Sequence, residues 1–268
     1  MNRPQHSAGS WPAGSLAPHP GGASVGRMLR AQTGAELTLV LRNAEQVLLS
    51  LVIPLALLVL LVTVPFVQVE GATDRAARAD FFVPGVLALA VMSTAFTGQA
   101  IGVGFERQYG VLKRLGTTPL PRAVLLGAKT LAVLAVELLQ VSVIAVVGLT
   151  LGWRPGGSVG AVLLLVVLGT AAFSGLGLLL GGTLRGLTTL AAATLVWFVL
   201  LVLGGVLFPL SAFGGAEPVL SVLPTAALST GLREILQQGA GIPVREAGAL
   251  VVWAVGGLTA ASRAFRWE

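Results

Sequence analysis

Residues 155–184 read PGGSVGAVLLLVVLGTAAFSGLGLLLGGTL, an uncharged run bounded by Arg154 and Arg185. A helix of about 20 apolar residues crosses the roughly 30 Å hydrocarbon core of a bilayer, and this run holds one with residues to spare. Fifty-five per cent of the chain is hydrophobic, 10% is charged and the mean hydropathy is +0.89. A soluble domain carries about a quarter charged residues, so the apolar excess must face lipid. Open sheets would leave backbone N–H and C=O groups unpaired in hydrocarbon. A membrane barrel would show short alternating strands, and the runs here are long and continuous. The fold class is all-α, a polytopic membrane protein.

Working outward, uncharged runs delimit six spans: within Gln46–Val69, with bends at Pro54 and Pro65; between Asp80 and Glu106; about Thr130–Gly152; between Arg154 and Arg185; Gly186–Phe208; and Ala247–Ser262, the shortest. Residues 1–26, rich in Pro, Gly and Ser, cannot bury a core and read as a disordered tail. No apolar stretch follows closely enough to make a signal peptide. Residues 27–45 are amphipathic, with Leu37, Val40, Leu41 and Ala44 on one face. They read as an interfacial helix or as a cytoplasmic extension of the first span. Residues 46–268 form the six-helix transmembrane domain.

Between the fifth and sixth spans lies the segment 209–246, whose apolar part Val219–Leu232 is interrupted by Pro224. It is too short and broken to cross. It reads as outer-face helices that dip partly into the membrane, or as an extracellular loop. With the amino terminus inside, twelve of the 17 Lys and Arg residues fall on cytoplasmic segments. Only Arg75, Arg78, Arg154, Arg233 and Arg245 fall outside. Basic residues collect on cytoplasmic loops, so both termini are expected inside a cell membrane. That asymmetry explains the +6 charge better than nucleic-acid binding does, and no nucleic-acid partner is expected. With no cysteine, thiol catalysis and Cys-ligated zinc are excluded.

The largest cytoplasmic loop, 106–122, reads ERQYGVLKRLGTTPLPR. Val111, Leu112 and Leu115 make an apolar edge, flanked by Arg107, Lys113 and Arg114, and Gly116 is a stop signal. Thr118 is positioned to cap the next helix with Pro119 at its first position. A short amphipathic helix of this kind lies on the inner leaflet or fits a groove on a partner.

The run ERxxGxLxxLxxTPL followed by Gly-x-Lys resembles the signature of ABC-2 type transporter permeases, the membrane subunits of bacterial exporters, including the daunorubicin-exporter type. The matching positions are Glu106, Arg107, Gly110, Leu112, Leu115, Thr118, Pro119, Leu120, Gly127 and Lys129. Val111 departs from the Thr that many members carry. Leu223-Pro224 and Leu232-Arg233 are similar to the family too, and the resemblance covers roughly residues 30–265. It implies that the loop, with Tyr109, Lys113 and Arg114, is a coupling helix seated in an ABC ATPase subunit. Gly127-Ala128-Lys129-Thr130 lacks the glycine directly before lysine that a phosphate loop needs. ATP and Mg are therefore expected on the partner chain, with no cofactor bound here. Six spans resemble half a transporter, implying a homodimer or a heterodimer with a related permease.

Glu137, with Gln140 three residues on, lies within the third span. A mid-helix charge costs about 2.5–3.5 kcal/mol on insertion scales, so it must face protein or water. It either lines the translocation path or is a hydrogen-bonded carboxyl between helices. Ser93, Thr97 and Gln99 read as interhelical hydrogen-bonders. Three glycine pairs (Gly98/Gly102, Gly148/Gly152 and Gly177/Gly181) read as sites of close packing. His6 and His19 fall in the tail, and no carboxylate pair or metal-spaced cluster appears. An intramembrane transferase needs such clusters, and a stand-alone transporter would show inverted repeats. The expected function is export of a lipophilic or amphipathic substrate, such as a drug, a lipid or a lipid-linked glycan.

Overall fold

Each uncharged run becomes a helix, since a backbone in lipid can satisfy its own hydrogen bonds only that way. The structure, a computed structural model, describes residues 23–64 and 74–264, and among these no strand occurs. The helices are α1 (Val25–Arg42), α2 (Ala44–Thr63), α3 (Arg75–Met92), α4 (Gln99–Gln108), α5 (Val111–Leu115), α6 (Arg122–Thr150), α7 (Val159–Thr183), α8 (Gly186–Leu203), α9 (Glu217–Leu220), α10 (Pro224–Gln238) and α11 (Val244–Ala264). A π turn, Ser93–Gly98, joins α3 to α4 without a break, and a 3-10 turn, Leu210–Ala216, precedes α9.

Five described helices are long and apolar enough to cross a membrane: Arg75–Gln108, Arg122–Thr150, Val159–Thr183, Gly186–Leu203 and Val244–Ala264. In α2 the apolar part Ser50–Thr63 is about 21 Å long at 1.5 Å per residue, short of a full crossing. Pro65, the second expected bend of that run, lies outside the described residues, as do residues 1–22 and 265–268. Helix α1 begins two residues before the expected start at Arg27. The last span is longer than expected, because α11 takes in Arg245 and Glu246 at its first turn, and α8 is the shortest of the five. Charge ended the run in the sequence, but a charged first turn can lie at the interface; Arg245 Nη2 there donates to Ser221 Oγ at 2.8 Å.

Helix α7 is the hub, packing on α11, α4, α10 and the π turn. Small residues allow this. A Cβ on Gly177 would lie 2.6 Å from the Phe96 carbonyl oxygen, and one on Gly181 would lie 2.5 Å from that of Ala100. A Cβ on Gly148 would come within 2.9 Å of the Val83 side chain and 3.0 Å of that of Trp153, whereas nothing approaches Gly102; that member of the expected glycine pairs is not a packing point. Phe82, Phe173, Leu165 and Leu228 fill the main core, and a smaller one, around Leu112, Leu125 and Leu178, closes the end that carries α5.

The segment 209–246 is not a plain loop. Pro224 does not interrupt a helix; it starts α10, where a missing N–H costs nothing. Helix α10 runs antiparallel to α3: Thr225 Oγ1 donates to Met92 Sδ at 3.3 Å and Gln237 Nε2 to the Asp80 carbonyl at 2.7 Å. Arg233, buried between them, donates to the carbonyls of Phe81 and Val206 and lies over the Phe81 ring at 4.1 Å. Arg78 donates to the carbonyls of Leu61, Val62 and Val64 and so caps the last turn of α2.

Candidate functional site: the α5 loop and the polar layer behind it

Gly110 sets the loop. After α4 ends at Gln108, Gly110 takes φ +71°, a left-handed conformation that side chains disfavour, and the chain turns straight into α5. One side chain fixes α5 to the bundle: Leu112 is 0% exposed in the inner core beside Leu125 and Leu178, with Leu115 and Leu120 packed against them. Tyr109 (70% exposed), Val111, Lys113, Arg114, Thr118 and Pro119 all face outward. The expected apolar edge is thus split, because Val111 points away from Leu112 and Leu115. Tyr109 stacks on Phe105, with centroids 6.0 Å apart.

Thr118 does not cap the helix that follows. Its hydroxyl donates back to the Leu115 carbonyl at 2.6 Å, as that of Thr117 does to Arg114 at 2.7 Å, closing the end of α5. Helix α6 starts only at Arg122, with Pro121 as its N-cap, so Pro119 lies in the connection. A threonine hydroxyl can serve the carbonyls behind it as readily as the amides ahead, and spacing alone does not say which.

Behind α5, Lys129 Nζ lies 2.9 Å from Glu36 Oε2 and 2.7 Å from Glu106 Oε1. Lys129 and Glu36 expose only 7% and 9% of their side chains. Gln32 Nε2 donates to the other oxygen of Glu36 at 2.8 Å. One ammonium thus ties α1, α4 and α6 together at the base of the loop. The neighbouring Arg107 reaches another helix, donating through Nη1 to the carbonyls of Gly182 (3.1 Å) and Leu184 (3.4 Å) at the end of α7. Glu36 escaped the sequence reading. In an amphipathic helix an off-face glutamate looks solvated, and nothing local marks a lysine 93 positions away as its partner.

A second polar layer crosses the bundle at the π turn. Glu137, 0% exposed, accepts from the hydroxyl of Thr170 on α7. Gln140 accepts from Thr94 Oγ1 at 3.0 Å and donates to Ser50 Oγ at 2.9 Å, linking α6 to the π turn and α2. Gln99 Nε2 donates to Ser174 Oγ at 2.6 Å, and Trp197 Nε1 to Ser93 Oγ at 2.9 Å. Ser93 and Gln99 are interhelical hydrogen-bonders as expected. Thr97 is not, since its Oγ1 is buried without a partner among the described residues, as are Glu137 Oε1 and Gln99 Oε1. Thr94 does the work expected of Thr97. Glu137 and Gln140 both face the interior of the chain itself.

These features define a class: a helical bundle of membrane spans, with a short amphipathic helix presented at one end on an ion-paired base. Residues 28–236 match the family described as ABC-2 type transporter, and the chain belongs to that family. It is similar to "Putative transport permease YvfS" of Bacillus subtilis (strain 168), with 28% identity over 186 residues that cover 66% of this chain and 72% of the relative. The protein is a membrane transport permease, and permeases of its family work with ABC ATPase partners.

Proposed function

We propose that this chain is the membrane subunit of an ABC exporter, driven by ATP hydrolysis on a separate subunit that binds ATP and Mg. The observation that carries the reading is the build of α5. One buried leucine anchors a turn of helix whose outward face offers Tyr109, Val111, Lys113 and Arg114 to a partner. The Lys129 ion pairs make its base rigid, so a push on α5 passes to α1, α4 and α6. Helix α2 is part of a sixth span. The α5 end and both termini are then cytoplasmic, α1 lies at the inner interface, and α10 dips into the membrane from the outer face. Two such chains, identical or related, form the transporter.

The substrate in this reading is lipophilic or amphipathic. Glu137 and Gln140 border its path, and α6 must part from α7 to open Glu137 and from α2 and the π turn to open Gln140. Co-purification with the cognate ATPase tests the reading. Replacing Tyr109 and Arg114 by Asp should abolish assembly and substrate-stimulated ATP hydrolysis while the permease still folds. Assembly retained in that variant would overturn it.

A further inference from the structure

Helix α1 uses one side on the bundle and leaves the other bare. The inward side carries Glu36, paired with Lys129 of α6, and Leu29, whose Cδ1 would lie 3.6 Å from a Cβ on Gly127 of the same helix. Glu36 is also the single acid of α1. Helical spacing puts Arg27, Arg30, Gly34, Thr38, Leu41 and Arg42 on the opposite side, and all six are exposed. A Cβ on Gly34 would meet nothing within 4 Å. Among the described residues, none of these three arginines is in an ion pair.

The crossing of α1 over α6 sets where that bare side looks. From Leu29 to Glu36, α1 advances about 10 Å, while the positions they meet, Gly127 and Lys129, are about 3 Å apart along α6. Helix α1 therefore lies across α6, and where α6 crosses the bilayer, α1 runs near the membrane plane. The elbow sets its depth. Asn43 alone separates Arg42 from α2, and the exposed Leu39 and Leu41 lead into the exposed Leu48, Val52 and Ile53 of α2. The side away from α6 thus looks sideways, into the headgroup layer. An interfacial helix commonly turns its apolar side to the acyl chains; here the inward side is taken by α6, and α1 meets the leaflet with charge.

We propose that Arg27, Arg30 and Arg42 on the bare side of α1 bind the phosphate headgroups of anionic phospholipids in the inner leaflet. Basic residues at a membrane surface attract such lipids one charge at a time. The inference rests on α2 being part of a span, as proposed above, and not on the coupling role of α5. It is tested with no ATPase present, so lost coupling with intact lipid preference would sink that role alone.

The experiment titrates the purified full chain with phosphatidylglycerol and with phosphatidylcholine, and reads retention by native mass spectrometry. Phosphatidylglycerol should be retained preferentially. Arg27→Gln and Arg30→Gln should each weaken it about fivefold and leave phosphatidylcholine unchanged. Both arginines are exposed, so the variants should melt like the parent chain. Inorganic phosphate at matched concentration should not displace the lipid. Equal retention of the two lipids, indifference to both substitutions, or displacement by phosphate alone would overturn the assignment. So would a Thr38→Cys thiol that added cognate ATPase shields from maleimide and phosphatidylglycerol does not, since this side would then belong to the subunit interface.

Discussion

The ammonium of Lys129 lies 2.7 Å from Glu106 Oε1, and it joins the first residue of the loop signature to the last. Twenty-three positions separate them in sequence, and α5 sits between. The signature is therefore the closed base of one structural unit. Glu36 on α1 completes the base, so the amino-terminal helix belongs to the same unit.

Lys129→Met should be strongly destabilising, because it leaves Glu36 buried beside Glu106 with no cation. Removing one partner of a buried pair costs about 3–5 kcal/mol, and the exposed edge of Glu106 places this case at the lower end. The melting temperature of the purified chain should fall, and Glu36→Gln combined with Glu106→Gln in the Lys129→Met background should recover part of the loss. If the single variant melts with the parent chain, the ion pairs do not hold the base.

Gly110→Val should displace α5 without unfolding the bundle. A left-handed residue with a side chain costs about 1–2 kcal/mol, and a β-branched one sits at the upper end. The expected outcome is a small change in melting temperature, with increased proteolytic cutting confined to residues 109–121. Unchanged cutting there would show that the turn tolerates a side chain.

Glu137→Gln keeps the shape of the side chain and its bond to Thr170, so expression and melting should stay close to those of the parent chain. Transport should drop at least tenfold if the carboxylate borders the path. Normal transport at normal expression would make Glu137 a packing residue only.

Arg233→Gln should loosen α10, since the guanidinium spans the Phe81 ring and two backbone carbonyls on separate segments. Loss of a buried charge-assisted set costs about 2–4 kcal/mol. Hydrogen exchange across residues 224–238 should rise more than across α6. A uniform rise would mean that Arg233 serves the whole bundle instead of anchoring one helix.

Much of this architecture was legible in the sequence because lipid imposes one rule on every span. Long uncharged runs placed α3–α4, α6, α7 and α8, and the loop motif between two of them located α5. The start of α11 lies three residues before Ala247, because Arg245 and Glu246 break the apolar run although a charged first turn can lie at the interface. Contacts that depend on tertiary placement were not legible. The partner of Glu36 lies on another helix, and the split of Val111 from Leu112 depends on how α5 is seated. Thr97 and Thr94 are one turn apart, and only the π turn decides which of them meets Gln140. The same holds for the buried course of α10, whose packing along α3 no local pattern announces.

In the function proposed above, α5 is a cytoplasmic face covered by the ATPase. Because the chain has no native cysteine, a single Arg114→Cys substitution gives one unambiguous probe. In inverted vesicles a membrane-impermeant maleimide should label it readily without the ATPase and poorly once the ATPase is bound, with no labelling in intact cells. Labelling from outside intact cells, or equal labelling in the presence and absence of the ATPase, would contradict the account.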